Sequence, residues 1–169
     1  MHKGFSEADI LVAVQKVAAD RPGVLPAARG LSAFGEHALG WMGIAAAGAG
    51  VDAPRRREWL RVGAAAVASH AASIAIKRVV RRKRPHDPRI RVGVSTPSKL
   101  SFPSSHATST AATAVAVAEL TGSRAPLAIV PVMMASRMVL GVHYPTDVVA
   151  GTALGAVIGK AMMREKGKA

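Results

Sequence analysis

The chain has 169 residues, with 23 lysines and arginines against ten aspartates and glutamates, a formal charge of +13. It contains no cysteine, which excludes a disulfide framework, a thiolate metal site and a cysteine nucleophile. Half of the residues are hydrophobic yet only 4% are aromatic, and the mean hydropathy is +0.24. Charge and apolar residues must therefore be segregated, which excludes a uniformly basic soluble domain and a disordered basic tail.

In chain order, residues 5–19 place Phe5, Ile10, Leu11, Val14 and Val17 at helical spacing. This predicts an amphipathic helix that lies on the membrane surface or packs on the protein itself. No continuous apolar run precedes a cleavage site, so no signal peptide is expected. Arg21-Pro22-Gly23 and Pro26 end this helix. Five stretches then approach spanning length, at about 31–51, 58–77, 105–122, 125–142 and 145–163. In the last, Gly151, Gly155 and Gly159 share one face, suited to close packing within the chain or to a homo-oligomer contact.

The expected fold class is all-α: an integral membrane helical bundle of about five transmembrane helices plus an N-terminal amphipathic interfacial helix. It forms one membrane-embedded domain over 1–169, with 1–30 interfacial and 31–163 the transmembrane core. A soluble buried bundle is the competing reading. Glu36 and His37 fall deep in the first span, to line a substrate groove or to bond other helices. His70, with Ser69 and Ser73, reads as an interhelical hydrogen-bonding site, and His86 as solvated.

The longest connection, 78–104, is also the most basic, with the run RVVRRKRPHDPRIR. It lies between apolar helices and lacks interleaved aromatics for base stacking, so no nucleic-acid partner is expected. Membrane lipids with anionic headgroups suit some of these charges.

Three clusters fall at the helix ends around this connection: Lys77-x6-Arg84-Pro85, Pro103-Ser104-Ser105-His106, and Ser136-Arg137-x5-His143-x3-Asp147. Lys77, Arg84 and Arg137 supply three cations suited to one phosphate. Ser104 and Ser105 open the third span, so their hydroxyls and free N–H groups make an anion cradle. His143 and Asp147 are four apart, so the carboxylate can hold one ring nitrogen and free the other as a nucleophile. His106 is available to protonate a leaving group. Ser136 packs or caps. No metal or cofactor is expected, because three cations and two helix ends already oppose developing charge.

These clusters resemble the type 2 phosphatidic acid phosphatase superfamily, which includes the vanadium haloperoxidases. Its pattern is KxxxxxxRP, PSGH and SRxxxxxHxxxD, and the chain departs from it only in Ser105, where glycine is usual. The resemblance implies a helical core and a phosphohistidine mechanism. His143 would attack phosphorus, Asp147 would orient it, and His106 would protonate the leaving oxygen and then activate water. Lys77, Arg84, Ser104, Ser105 and Arg137 would bind the phosphoryl oxygens. The runs SAFGEHALGW, SHAASIAIKRVVRRKRP, SFPSSHATST and SRMVLGVHYPTDVVAG are similar to an actinobacterial subgroup. That subgroup implies a lipid-linked substrate, decaprenylphosphoryl-5-phosphoribose, in cell-wall arabinan precursor synthesis. The alternatives left open are a polyprenyl-diphosphate, phosphatidylglycerophosphate or phosphatidate phosphatase, a soluble haloperoxidase-like enzyme, and a non-catalytic basic membrane adaptor.

A multi-pass plasma-membrane location follows from the spans. With five of them, 14 lysines and arginines fall on the side of the three clusters and nine on the other. Without Lys77, Arg84 and Arg137 the count is 11 to nine, which still favours a cytoplasmic site.

Overall fold

The computed structural model describes residues 6–164. Phe5, expected on the first helix, and His2 lie outside them. Seven helices occur in the order α1 (Glu7–Ala18), α2 (Val24–Gly35), α3 (Leu39–Val51), α4 (Arg56–Val80), α5 (Ser105–Thr121), α6 (Ile129–Val139) and α7 (Pro145–Arg164). No strand forms among the described residues.

Helix α1 starts where Asp9 Oδ2 accepts the Ser6 N–H at 2.8 Å, one half of a capping box. It packs on the protein, against α6 and α7, rather than only facing lipid. Leu11 is fully buried, and so is Gln15, which amphipathic spacing assigns to the outside. The Gln15 amide donates to the carbonyls of Val139 (2.9 Å) and Arg91 (2.7 Å) and accepts from the Arg91 N–H (3.0 Å). It thus satisfies three backbone groups that a tight loop leaves without partners.

Pro26 ends no helix. It lies in the first turn of α2, where the missing N–H costs nothing. The expected span 31–51 is not one helix either. The chain breaks at 36–38, because His37 (φ 49°) and Ala38 (φ 61°) both adopt the left-handed region. Such residues cost about 1–3 kcal/mol each when they are not glycine. The Glu36 N–H then bonds the Ala33 carbonyl, which releases the Ser32 carbonyl from the helical pattern.

Helix α5 is the central element, packed on α4, α6 and α7. Its buried face is built from Ala107, Thr108, Ser109, Ala112 and Thr113. By contrast, Leu39, Ile44, Leu60, Val67, Val132, Val149 and Val157 are exposed on the outside of the bundle. Small and hydroxylic residues inside with branched aliphatics outside is the arrangement of helices packed in lipid. Among the described residues, two helical segments are long and apolar enough to cross a membrane unaided, Ala53–Val80 and Pro145–Arg164.

The glycine face of α7 is taken up inside the chain. A Cβ at Gly151, Gly155 or Gly159 would lie 2.7, 2.1 or 2.3 Å from the carbonyl oxygens of Ser104, Thr108 and Ala112 on α5. This is the close packing within the chain that the glycine spacing allowed, with α5 against that face. Gly155→Val should therefore lower unfolding stability by about 1–3 kcal/mol, read as an earlier melting transition of the purified protein in detergent. An unchanged transition would mean that α5 and α7 do not depend on this contact.

Candidate active site

Helix ends converge around one cavity of about 320 Å³. Arg81 adopts a left-handed conformation (φ 54°) and stops α4, turning the chain into a short antiparallel pairing. There the Ser101 N–H donates to the Arg82 carbonyl at 2.8 Å and the Arg84 N–H to the Lys99 carbonyl at 3.3 Å. Lys77, in the last turn of α4, is buried and donates to the carbonyls of Ser101 (3.2 Å) and Pro103. Arg84 donates from Nε to Ser98 O at 2.8 Å and from Nη1 to Val142 O at 2.7 Å. Burial lowers its pKa to about 10. Arg137, near the end of α6, is 1% exposed, and its Nε and Nη1 have no hydrogen-bond partner among the described residues. Such buried guanidinium donors call for an anion.

His143 lies in the turn between α6 and α7, which Gly141 permits with φ +67°. Its Nδ1 is 3.6 Å from Asp147 Oδ2, and its Nε2 is 3.2 Å from Arg84 Nη1. Asp147 can only accept and Arg84 can only donate. The proton is therefore assigned to Nδ1, which at 3.6 Å is too far from Asp147 for a hydrogen bond and has no other partner among the described residues, while the Nε2 lone pair accepts from Arg84 at the cavity edge. Burial pushes the His143 pKa well below the ordinary range, and the cations of Arg84, Lys77 and Arg137 add to this. A neutral imidazole is what a nucleophile requires.

Asp147 is fully buried, with Oδ2 accepting the Tyr144 N–H at 2.8 Å and Oδ1 accepting Arg82 Nη1 at 2.9 Å. Arg82 also pairs with Glu7 of α1, bonds Thr146 Oγ1 at 2.6 Å and lies 4.3 Å from the Tyr144 ring centroid. Glu7 Oε1 accepts from Thr146 Oγ1 (2.7 Å) and Thr146 N (3.0 Å). Partial burial raises the Glu7 pKa, but these bonds and Arg82 outweigh it and hold the carboxyl below its usual value.

The sequence reading missed Glu7 and Arg82. The available signal was charge balance. Glu7, Asp9 and Asp20 at the N-terminal end pair with Arg82, Arg89 and Arg91 of the basic connection. Those arginines hold protein carboxylates.

At the start of α5 the two serines diverge. Ser104 is the N-cap: its Oγ accepts the Ala107 N–H at 3.4 Å, and its own N–H donates to Asp147 O at 2.9 Å. It is fully buried and absent from the cavity lining, so the expected cradle loses this N–H. Ser105 does line the cavity, with its Oγ 2.7 Å from Ser73 Oγ on α4. His106 lines it too, and its Nε2 is 2.9 Å from the Ser32 carbonyl freed by the break after α2. That acceptor assigns a proton to Nε2. Gly35 lets the ring approach, since a Cβ there would lie 2.6 Å from His106 Cδ2.

Glu36 and His37 line the cavity. His70 lines it as well and makes no interhelical bond through Nδ1 among the described residues; Ser73 bridges α4 to α5 instead. Ser136 packs, donating to Met133 O at 2.7 Å. Among the described residues, no group of three or more His, Asp or Glu side chains could hold a metal ion.

The chain is similar to known proteins in four respects. A family model described as the PAP2 superfamily matches residues 58–168. A decaprenylphosphoryl-5-phosphoribose phosphatase of Mycolicibacterium smegmatis is 62% identical over 142 residues, covering 84% of this chain and 79% of that protein. The protein of the same name from Mycobacterium tuberculosis is 55% identical over 153 residues, covering 90% of this chain and 86% of its own. Among solved structures, the transmembrane PAP2 type phosphatidylglycerolphosphate phosphatase from Bacillus subtilis has a TM-score of 0.73. It is 22% identical, with 95% of this chain and 87% of its own covered, a likeness of fold.

Arg82→Met strips the buried Asp147 of its arginine. Stability should fall by on the order of 3 kcal/mol, as when one partner of a buried ion pair is removed. Denaturant unfolding in detergent measures this, and Lys83→Met, at an exposed position, is the control. Equal behaviour of the two variants would show that Arg82 is a dispensable surface charge.

Proposed function

Because this chain belongs to the PAP2 superfamily, we propose that it is a membrane lipid phosphatase that converts decaprenylphosphoryl-5-phosphoribose to decaprenylphosphoryl ribose through a phosphohistidine on His143. The substrate assignment takes its support from the relatives of that name at 55–62% identity. The observation that carries the chemistry is that His143 lines one cavity with Lys77, Arg84 and Arg137, its Nε2 3.2 Å from Arg84 Nη1.

In the proposed reaction the phosphoryl oxygens take the Arg137 donors, Arg84, Lys77 and the Ser105 end of α5. The His143 Nε2 lone pair forms a bond to phosphorus as the phosphorus–O5 bond breaks, and the leaving oxygen takes a proton from His106. Binding the dianion beside His106 favours the imidazolium that this step needs. His106 then accepts a proton from water as the water oxygen attacks phosphorus, the phosphorus–nitrogen bond breaks, and inorganic phosphate departs. Asp147, 3.6 Å from His143 Nδ1 in the free protein, would close on Nδ1–H as the imidazole gains charge. The cations stabilise the charge on the equatorial oxygens of the transition state. Ser104 serves as the cap that aims α5.

The same proposal covers residues 1–169 as one domain with five membrane crossings, the first formed by α2 and α3 across their break. Two aliphatic-faced helices of spanning length support it, as does the exposed apolar belt. The reading includes a plasma-membrane location with the site on the cytoplasmic face, the orientation supported by the excess of lysine and arginine on that side, 14 to nine, or 11 to nine without Lys77, Arg84 and Arg137.

The test is phosphate release by the purified protein from a panel of decaprenylphosphoryl-5-phosphoribose, phosphatidate, phosphatidylglycerophosphate and a polyprenyl diphosphate. The ribosyl lipid should be turned over fastest, and a protein inert on all four would refute the reading. In the same assay His143→Ala should abolish turnover while the melting transition survives. Undiminished turnover would remove the phosphohistidine.

Arg137→Ala tests the anion pocket. Losing one donor from a preorganised site costs about 10²–10³ in turnover. Vanadate imitates five-coordinate phosphorus, so its inhibition should weaken more than substrate binding does. Near-normal turnover and vanadate sensitivity in this variant would make Arg137 a packing residue.

A further inference from the structure

A phosphatase that needed only to bind a phosphoryl group and a hydrocarbon tail would gain nothing from a carboxylate in its cavity. Glu36 is such a carboxylate. It lines the same cavity as Arg84, Arg137 and His143. There it opposes a dianionic phosphoryl group and offers nothing to an alkyl chain. Its one close polar neighbour is His37 Nε2 at 3.5 Å, and it accepts no hydrogen bond among the described residues. A carboxylate with free lone pairs is an acceptor for hydroxyl groups.

We infer that the cavity wall formed by Glu36, His37, His70 and the 95–98 loop is a subsite for the sugar hydroxyls of the substrate, with Glu36 accepting from a vicinal diol. The inference rests on the reading above that the phosphate is carried by a pentose. The His37 and His70 ring centroids are 5.8 Å apart, His70 Nδ1 is buried without a partner among the described residues, and Ser95, Thr96 and Ser98 also line the cavity. Imidazole and hydroxyl groups both donate and accept, which suits a ligand with several hydroxyls. At about 320 Å³ the cavity falls in the range of small-ligand pockets, which start near 300 Å³.

The backbone is bent to supply this wall. His37 and Ala38 hold left-handed conformations without being glycine, at the point where α2 would otherwise run on into α3. An unbroken helix would also keep the Ser32 carbonyl for its own ladder and take it from His106. One turn thus provides both the carboxylate for the hydroxyls and the support for the proposed general acid.

A competing role exists for Glu36, as the counter-charge to Arg84 and Arg137. The test must separate the two. The purified full chain and Glu36→Gln are assayed on decaprenylphosphoryl-5-phosphoribose and on its 2,3-dideoxy analogue, with vanadate inhibition measured in parallel. Wild type should favour the hydroxylated substrate by about 10–100-fold in kcat/KM, the range for hydrogen bonds to a charged group. Glu36→Gln should shrink that preference to a few-fold and remain inhibited by vanadate. The inference is overturned if the variant keeps the wild-type preference, if it loses equally on both substrates, or if vanadate inhibition disappears with the preference. A wild type that cleaves both lipids without preference also overturns the subsite and leaves the phosphatase reading standing. A wild type active on phosphatidate and inert on the ribosyl lipid overturns the substrate assignment, and the subsite with it.

Discussion

The structure is organised around the repulsion of three cations that share a buried place. Lys77, Arg84 and Arg137 come from the end of α4, the following loop and the end of α6, and all line one cavity. No carboxylate pairs directly with any of them among the described residues. Backbone carbonyls do part of that work: Ser101 and Pro103 for Lys77, Ser98 and Val142 for Arg84. Arg137 is left with two unmet donors, each costing about 1–3 kcal/mol. An arriving phosphoryl group recovers that energy, and a transition state carrying more charge on its oxygens recovers more. Electrostatic strain in the free protein is the physical basis of the proposed catalysis.

Holding such a cluster requires stiff supports, and the stiffest is the contact of α5 with α7. Three glycines let the helices approach until a side chain would collide with backbone carbonyls. At the top of that contact the Ser104 N–H reaches the Asp147 carbonyl at 2.9 Å. The spacing of Gly151, Gly155 and Gly159 therefore sets where α5 begins relative to His143 and Asp147. From the other side, α1 closes the arrangement through Glu7, Arg82 and Asp147. Its burial energy comes from Leu11, and its register is fixed by Gln15.

The cationic cluster and the histidine–aspartate pair were legible in the sequence because their spacings are local or sit at helix ends. Lys77, Arg84, Arg137, Ser105, His106 and His143 all line the cavity. The structure divides the two serines, with Ser104 the buried N-cap and Ser105 on the cavity, and spacing does not say which serine caps. The break at 36–38 left no mark because neither His37 nor Ala38 is a residue that announces a left-handed turn. Amphipathic spacing alone sorts polar residues such as Glu7 and Gln15 to the surface. Here both are polar groups turned inward to satisfy others. The basic loop looked like a headgroup patch because its carboxylate partners lie more than 70 residues away, as in Arg82–Glu7 and Arg91–Asp20.

The break before α3 joins these threads through the physics of the bilayer. In lipid an unpaired carbonyl has no water to turn to and costs several kcal/mol. Ending α2 at Gly35 creates such a group at Ser32, beside the cavity. His106 Nε2 meets it at 2.9 Å, so the carbonyl is satisfied and the imidazole is fixed in one tautomer and one orientation. Under the proposed mechanism that leaves Nδ1 to exchange protons with the leaving oxygen and then with water. The His106 bond removes the cost that the break itself creates at the Ser32 carbonyl, and the left-handed conformations of His37 and Ala38 are held by the surrounding structure. The same turn places Glu36 where it can meet a sugar. A helix continuous from 24 to 51 would be the more stable local structure, and it would lose the His106 support and the Glu36 wall together.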